Sequence, residues 1–166
     1  MTQPSITPAA FAAKWRGVTT TAKASSQSHF IDLCRMLGEP TPHEADPTGA
    51  HYAFEKYVTK AGGGEGFADV WKRDFFALEY KGRRKDLKAA YLQLLNYKDD
   101  LGNPPLLIVC DLERIEVRAA PSGLECDEIQ KSAVFTLLAG ARDATHCARN
   151  GNREGIDVGS IELDWL

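Results

Sequence analysis

The chain has 166 residues, 43% of them hydrophobic and 26% charged, which suits one ordinary globular domain with a real core. A formal net charge of −3 excludes a polycation, so any nucleic-acid surface must be local. No apolar run approaches the roughly 20 residues that span a bilayer, and the N-terminus lacks a signal-peptide pattern. The 4 cysteines lie far apart with no CxxC pair. We therefore expect a cytoplasmic protein with free thiols and no membrane contact.

Helix signals dominate the first third of the chain. Thr7-Pro8 is a favourable helix start, and Gly17 ends that helix. A second helix is predicted over residues 21–37, where an apolar stripe at helical spacing ends at Gly38. Residues 43–50 are predicted to be a loop, and residues 51–60 fit either a strand or a short helix.

Strand signals follow a glycine-rich segment. Two strands, over residues 67–72 and 75–81, are predicted to be joined by a turn at Arg73-Asp74. A helix over residues 85–100 comes next, and strands over 106–110 and 114–119 follow it. This order predicts an α/β fold with a short mixed sheet flanked by helices.

The last part of the chain differs in character. After residue 119 only residues 133–141 favour a helix, and residues 142–160 are polar and rich in Gly, Asn and Arg. We expect little packed structure there. The predicted organisation is one domain over residues 1–120 and a separate tail over residues 121–166.

Two carboxylates and a lysine stand out in the predicted strand pair. Asp69 lies on the first strand, and Glu79 and Lys81 share one face of the second because side chains alternate along a strand. The surrounding residues are apolar, and buried charges must be paired or bind a metal. Carboxylate oxygens are the ligands that Mg²⁺ prefers, and a nearby lysine can orient a water or stabilise developing charge. We therefore predict that Asp69 and Glu79 bind Mg²⁺ and that Lys81 acts in phosphodiester hydrolysis.

Taken alone, the Glu-x-Lys pattern is weak evidence for a nuclease site, because many solvated strand faces in unrelated proteins contain it. The following helix adds Gln93 and Tyr97, one turn apart on one face, with Gln93 as a candidate assisting residue. A basic loop after the site could neutralise DNA phosphates. Its candidate DNA-binding residues are Arg83, Arg84, Lys85 and Lys88.

The spacing Asp-x9-Glu-x-Lys resembles the PD-(D/E)XK nuclease superfamily, and Gln93-x3-Tyr97 resembles the element found in its RecB-related members. The run from Gly62 to Gly82 resembles, more narrowly, the N-terminal endonuclease region of MmeI-like enzymes, the type IIL fused restriction-modification DNA methyltransferases. Three shorter segments share this likeness, which covers residues 6–118 and includes Glu79–Gly82 at the end of the main run: Gln27–Cys34, Gly38–Pro42 and Phe54–Lys56.

The resemblance implies a restriction-endonuclease-like fold and Mg²⁺-dependent cleavage of double-stranded DNA. It places Asp69, Glu79 and Lys81 in the catalytic positions and leaves methylation and sequence recognition to domains absent from this chain. A homodimer is one way to cut both strands. No other cofactor-binding motif is present, since the glycine-rich loop of a methyltransferase is missing.

One departure from the family pattern supports a second hypothesis. Ala22 stands where family members usually carry a glutamate on the first long helix, and Glu55 is a possible auxiliary acid in its place. The chain could therefore be a catalytically weak or inactive module for DNA binding or assembly. His29 is expected to be a buried, hydrogen-bonded histidine near the site.

Overall fold

The N-terminal third forms three helices in the computed structural model, which describes residues 6–60, 62–119 and 161–164. These are α1 (Pro8–Arg16), α2 (Ala22–Leu37) and the short α3 (Pro42–Ala45), which falls where the sequence indicated a loop. The Thr7 hydroxyl accepts a hydrogen bond from the amide of Ala10, and Gly38 ends α2 with a φ of 73°. Both predicted long helices are confirmed.

In the described part of the chain, six strands form one sheet in chain order, and α4 (Leu87–Tyr97) connects β3 to β4. Among these six strands only β3 and β4 pair in parallel, because the α4 crossover returns the chain to the same end of the sheet. The predicted mixed α/β fold is confirmed, and it is compatible with a restriction-endonuclease-like fold. The strands are β1 (Tyr52–Thr59), β2 (Glu65–Lys72), β3 (Phe76–Tyr80), β4 (Leu106–Cys110), β5 (Arg114–Ala119) and β6 (Ile161–Asp164).

Two apolar cores cover the two faces of the sheet. The first lies against α1 and α2, and the second lies against α4. Strand β4 contributes to both, with Ile108 in the first core and Val109 in the second. Its continuous apolar sequence is thereby explained, because both of its faces are buried.

The hairpin of β1 and β2 changes faces partway along its length. Phe54 packs against the first core, whereas Val58, an even number of residues later, packs in the second. On β2, Val70, which pairs with Phe54, lies in the first core, and Ala68, two residues earlier, lies in the second. Glu55 lies at the switch with a φ of 49°, in the left-handed region that non-glycine residues seldom occupy. Asp69 lies between Val70 and Ala68, so the switch occurs at a predicted site residue.

Several predicted boundaries shift. Residues 51–60, which fitted a strand or a helix, contribute β1, and β2 begins two residues before the predicted strand, at Glu65. Helix α4 is shorter than predicted at both ends, and it begins at Leu87 because the Asp86 carboxylate caps it by accepting from the amides of Lys88 and Ala89. Among the described helices, none has the length and hydropathy needed to cross a membrane.

The tail is only partly described. Strand β6 pairs antiparallel with β5, although little packed structure was predicted for this part of the chain. The predicted helix over 133–141 and the polar segment over 142–160 lie outside the described residues. The domain boundary near residue 120 stays a prediction.

Candidate metal and catalytic site

Asp69, Glu79 and Lys81 come together at the carboxyl end of β3. The Lys81 Nζ lies 2.9 Å from Oε1 of Glu79, two residues earlier in the chain. Asp69 reaches the same strand from β2, where its Oδ2 accepts a hydrogen bond of 2.6 Å from the Tyr80 amide. Asp69 is thereby held against the residue that lies between Glu79 and Lys81 in the chain.

Glu79 is buried, with 5% of its surface exposed. Burial, and then the neighbouring charge of Asp69, raise the pKa of its carboxyl group to about 7. Burial likewise raises the pKa of Asp69. The Oε2 atom of Glu79 is buried and has no hydrogen-bond partner among the described residues. Two mutually repelling carboxylates with an unsatisfied oxygen form a site that a cation would stabilise.

Gln93 completes the site from α4. Its Nε2 donates to Oε1 of Glu79 over 2.7 Å, and its Oε1 accepts from Nζ of Lys81 over 2.8 Å. The amide thus contacts both members of the Glu79–Lys81 pair and holds the lysine beside the carboxylate. The structure brings this predicted assisting residue to the predicted catalytic pair.

Tyr97 packs one helical turn beyond Gln93 and is buried in the second core. Burial raises the pKa of its hydroxyl, and the Gln93 side chain partly opposes that rise. A Cβ added to Gly66 on β2 would lie 2.5 Å from the Tyr97 Oη, so a side chain at that position would force the Tyr97 ring to move. A glycine inside a strand indicates that another group approaches the backbone closely, but the sequence does not show that this group is Tyr97.

The donor set fits Mg²⁺. Across residues 6–60, 62–119 and 161–164, no three His, Cys, Asp or Glu side chains are arranged to hold a metal. Mg²⁺, however, is commonly bound by one or two carboxylates, with waters and substrate phosphate oxygens completing its shell. Asp69 and Glu79 meet that requirement.

A scan against protein-family models matches residues 6–155 to the family described as MmeI, N-terminal domain. The chain belongs to this family. Membership indicates a role related to restriction and modification, and hence an interaction with DNA. The match to the MmeI N-terminal domain extends past residue 118, where the likeness read from the sequence ended. No curated protein and no solved structure matches the chain significantly.

Arg83 of this MmeI N-terminal domain binds other parts of the protein. Its Nη1 lies 2.5 Å from Oε1 of Glu113, and its Nη2 donates to the carbonyl of Trp15. The guanidinium thereby ties the loop after β3 to α1 and to the β4–β5 turn. The other three members of the predicted DNA-binding set are exposed: Arg84, Lys85 and Lys88.

Glu55 is exposed on β1, where its Oε1 is 3.5 Å from Nε2 of Gln27 on α2. Its negative charge adds to the larger effect of burial in raising the pKa of Asp69. Ala22, at the position of the expected glutamate, opens α2 and packs against the first core. An auxiliary role for Glu55 stays a prediction.

Tyr80 connects the site to a buried histidine. Its hydroxyl and Nδ1 of His29 are hydrogen-bonded at 2.8 Å. Burial lowers the pKa of His29 to about 3, so the imidazole is neutral. The expected buried, hydrogen-bonded histidine is confirmed. The amide of Tyr80 holds Asp69 while its side chain is anchored on the opposite face of β3, a positioning role that sequence reasoning missed.

Proposed function

We propose that this domain is a Mg²⁺-dependent DNA endonuclease that hydrolyses phosphodiester bonds in a restriction-modification protein. The observation that carries the proposal is the buried, unpartnered Oε2 of Glu79 beside Asp69, with Lys81 and Gln93 bonded to the other carboxylate oxygen. A divalent ion would satisfy that oxygen and remove the repulsion between the two carboxylates.

Each residue has a separate part in this proposal. Asp69 and Glu79 hold the ion, which, when bound, polarises the phosphate and lowers the pKa of its bound water. Lys81 places its ammonium group where negative charge develops at phosphorus, and Gln93 fixes the position of that ammonium. The Tyr80 amide holds Asp69 against β3. Arg84, Lys85 and Lys88 contact phosphates of the duplex.

The proposed partners follow from this chemistry. The substrate is double-stranded DNA, and sequence recognition and methylation belong to further domains of a type IIL protein. Cutting both strands requires two sites, which a homodimer would supply.

The test is nicking of supercoiled plasmid in Mg²⁺, with wild type, Lys81→Ala and the matched control Lys23→Ala on the exposed surface of α2. Removing one electrostatic donor from a catalytic site typically costs about 10²-fold or more in rate. We expect that loss for Lys81→Ala and wild-type activity for Lys23→Ala. Equal nicking by the two variants, or nicking that persists in EDTA, would refute the assignment.

A second candidate function is DNA binding or assembly without cleavage. It is favoured by Ala22, which stands where the resemblance to the family places a glutamate. Salt-dependent DNA binding that is equal with and without Mg²⁺, together with no nicking, would support it. Mg²⁺-dependent nicking abolished by Lys81→Ala would exclude it.

A further inference from the structure

The backbone ladder between β2 and β3 ends before it reaches the end of β3. In the described part of the chain its last pair is Val70 with Leu78, whereas β3 continues beside β4 as far as the pair of Tyr80 with Cys110. Beyond that last pair the side chain of Asp69 bridges the two strands, since its Oδ2 accepts a hydrogen bond of 2.6 Å from the Tyr80 amide. This hydrogen bond, rather than the ladder, therefore fixes the Asp69 carboxylate against the end of β3.

The side chain of Tyr80 is anchored on the other face of the sheet. Its ring lies in the first core, which α1 and α2 cover. Its hydroxyl is hydrogen-bonded at 2.8 Å to Nδ1 of His29, which lies 51 positions earlier in the chain, on α2. One residue is thus held at two points, because its hydroxyl is bonded to α2 and its amide to Asp69 on β2.

The imidazole of His29 has a single polar contact among the described residues. The residue is fully buried, and its Nε2 atom has no hydrogen-bond partner there. The ring packs edge-on against Phe11 and Trp15, with ring centroids 5.0 and 4.8 Å away. A buried polar ring in apolar surroundings is costly unless it is hydrogen-bonded, and an apolar side chain could fill the same space without that cost. The polar atom at Nδ1 is therefore explained by its bond to Tyr80.

We propose that His29 is a positioning residue for the metal site: it fixes Tyr80, and the Tyr80 amide in turn fixes the carboxylate of Asp69. The route passes through the backbone of β3, because the side chains of Tyr80 and Glu79 lie on opposite faces of that strand. Helix α2 thereby controls a carboxylate that its own side chain at position 29 does not touch. The part of this assignment that concerns Mg²⁺ rests on the proposed function.

Two substitutions of nearly equal shape separate this role from packing. Asparagine keeps a polar atom close to the position of Nδ1, whereas leucine replaces it with a methyl group, so His29→Asn and His29→Leu form a matched pair. The measurement is amide hydrogen exchange by NMR on the full chain in EDTA, at residue 80 and at Leu107 in the interior of the sheet. A general loss of stability speeds exchange at both amides, whereas loss of positioning raises the ratio of the rate at residue 80 to that at Leu107.

We expect this ratio to rise about fivefold or more in His29→Leu, because the end of β3 opens more often once Tyr80 loses its partner. It should stay near the wild-type value in His29→Asn. Tyr80→Phe should act like His29→Leu, and the double variant should add little to either single change, since both remove the same bond. An unchanged ratio in His29→Leu, or an equal rise in the two histidine variants, would overturn the proposal.

Mg²⁺ titration of the same proteins extends the test to the metal. His29→Leu should bind Mg²⁺ about fivefold or more weakly than wild type, and His29→Asn should bind it like wild type. Equal Mg²⁺ affinities in the matched pair would contradict control of the metal site by His29. If wild type takes up no Mg²⁺, the proposed function fails, while exchange at residue 80 in EDTA still decides whether His29 positions Asp69.

Discussion

Replacing Glu79 with glutamine should change how the stability of the metal-free protein depends on pH. The folded-state pKa of Glu79 is raised from its ordinary value of 4.5 to about 7 by burial and by Asp69. Between these two values the folded protein binds more protons than the unfolded chain. The free energy of unfolding therefore decreases as pH rises from about 4.5 through about 7.

The size of this effect follows from the shift. Each pKa unit corresponds to about 1.4 kcal/mol, so a shift from 4.5 to about 7 amounts to about 3 kcal/mol. Glu79 is only 5% exposed, so solvent screening reduces this figure little. Wild type therefore loses about 2 to 3 kcal/mol of its free energy of unfolding between about pH 5 and about pH 8. In Glu79→Gln this loss is absent, because glutamine stays neutral throughout.

The assay is urea denaturation in EDTA at about pH 5 and about pH 8, for wild type, Glu79→Gln and the exposed control Glu65→Gln. The control should keep the pH dependence of wild type. From about pH 5 to about pH 8, the free energy of unfolding of Glu79→Gln should rise by about 2 to 3 kcal/mol relative to that of wild type. If this difference in free energy of unfolding is constant with pH, or changes in favour of wild type, the account of the buried carboxylate is refuted.

Two further predictions concern the packing around the site. Gly66→Ala should lower the free energy of unfolding by about 1–3 kcal/mol, because its Cβ would lie 2.5 Å from Oη of Tyr97. Gly62→Ala, with nothing within 4 Å, should cost much less, and equal costs in urea denaturation would contradict the packing argument. Tyr80→Phe should cost about 1–3 kcal/mol because it leaves Nδ1 of the buried His29 without its partner. A near-neutral Tyr80→Phe in the same assay would show that this hydrogen bond contributes little.

The strand pair that carries the candidate site could be predicted because its signals are local. Alternation places Glu79 and Lys81 on one face of an apolar strand, and Arg73-Asp74 marks the turn before it. The spacing of Gln93 to Tyr97, and the resemblance of this Gln-x3-Tyr element to that of RecB-related nucleases, make Gln93 a candidate. Its contact with Glu79 depends on how α4 crosses back to β4, which local spacing does not determine.

Other features depend on partners distant in sequence. The face switch at Glu55 occurs at a non-glycine residue with no local signal for a positive φ. The bonds of Arg83 to Glu113 and to the carbonyl of Trp15 join segments distant in sequence, and its DNA-binding role stays a prediction. In both cases the tertiary contacts are not contained in a pattern read along the chain.

Mg²⁺ titration by calorimetry, with wild type and Asp69→Asn at the same pH, tests the central claim most directly. Asp69 and Glu79 are proposed to hold one divalent ion, so wild type should bind one Mg²⁺ per chain. The variant should bind at least about tenfold more weakly, since it lacks one of two carboxylate ligands. Equal Mg²⁺ affinity in the two proteins, or no uptake by wild type with or without duplex DNA, would contradict the proposed metal site.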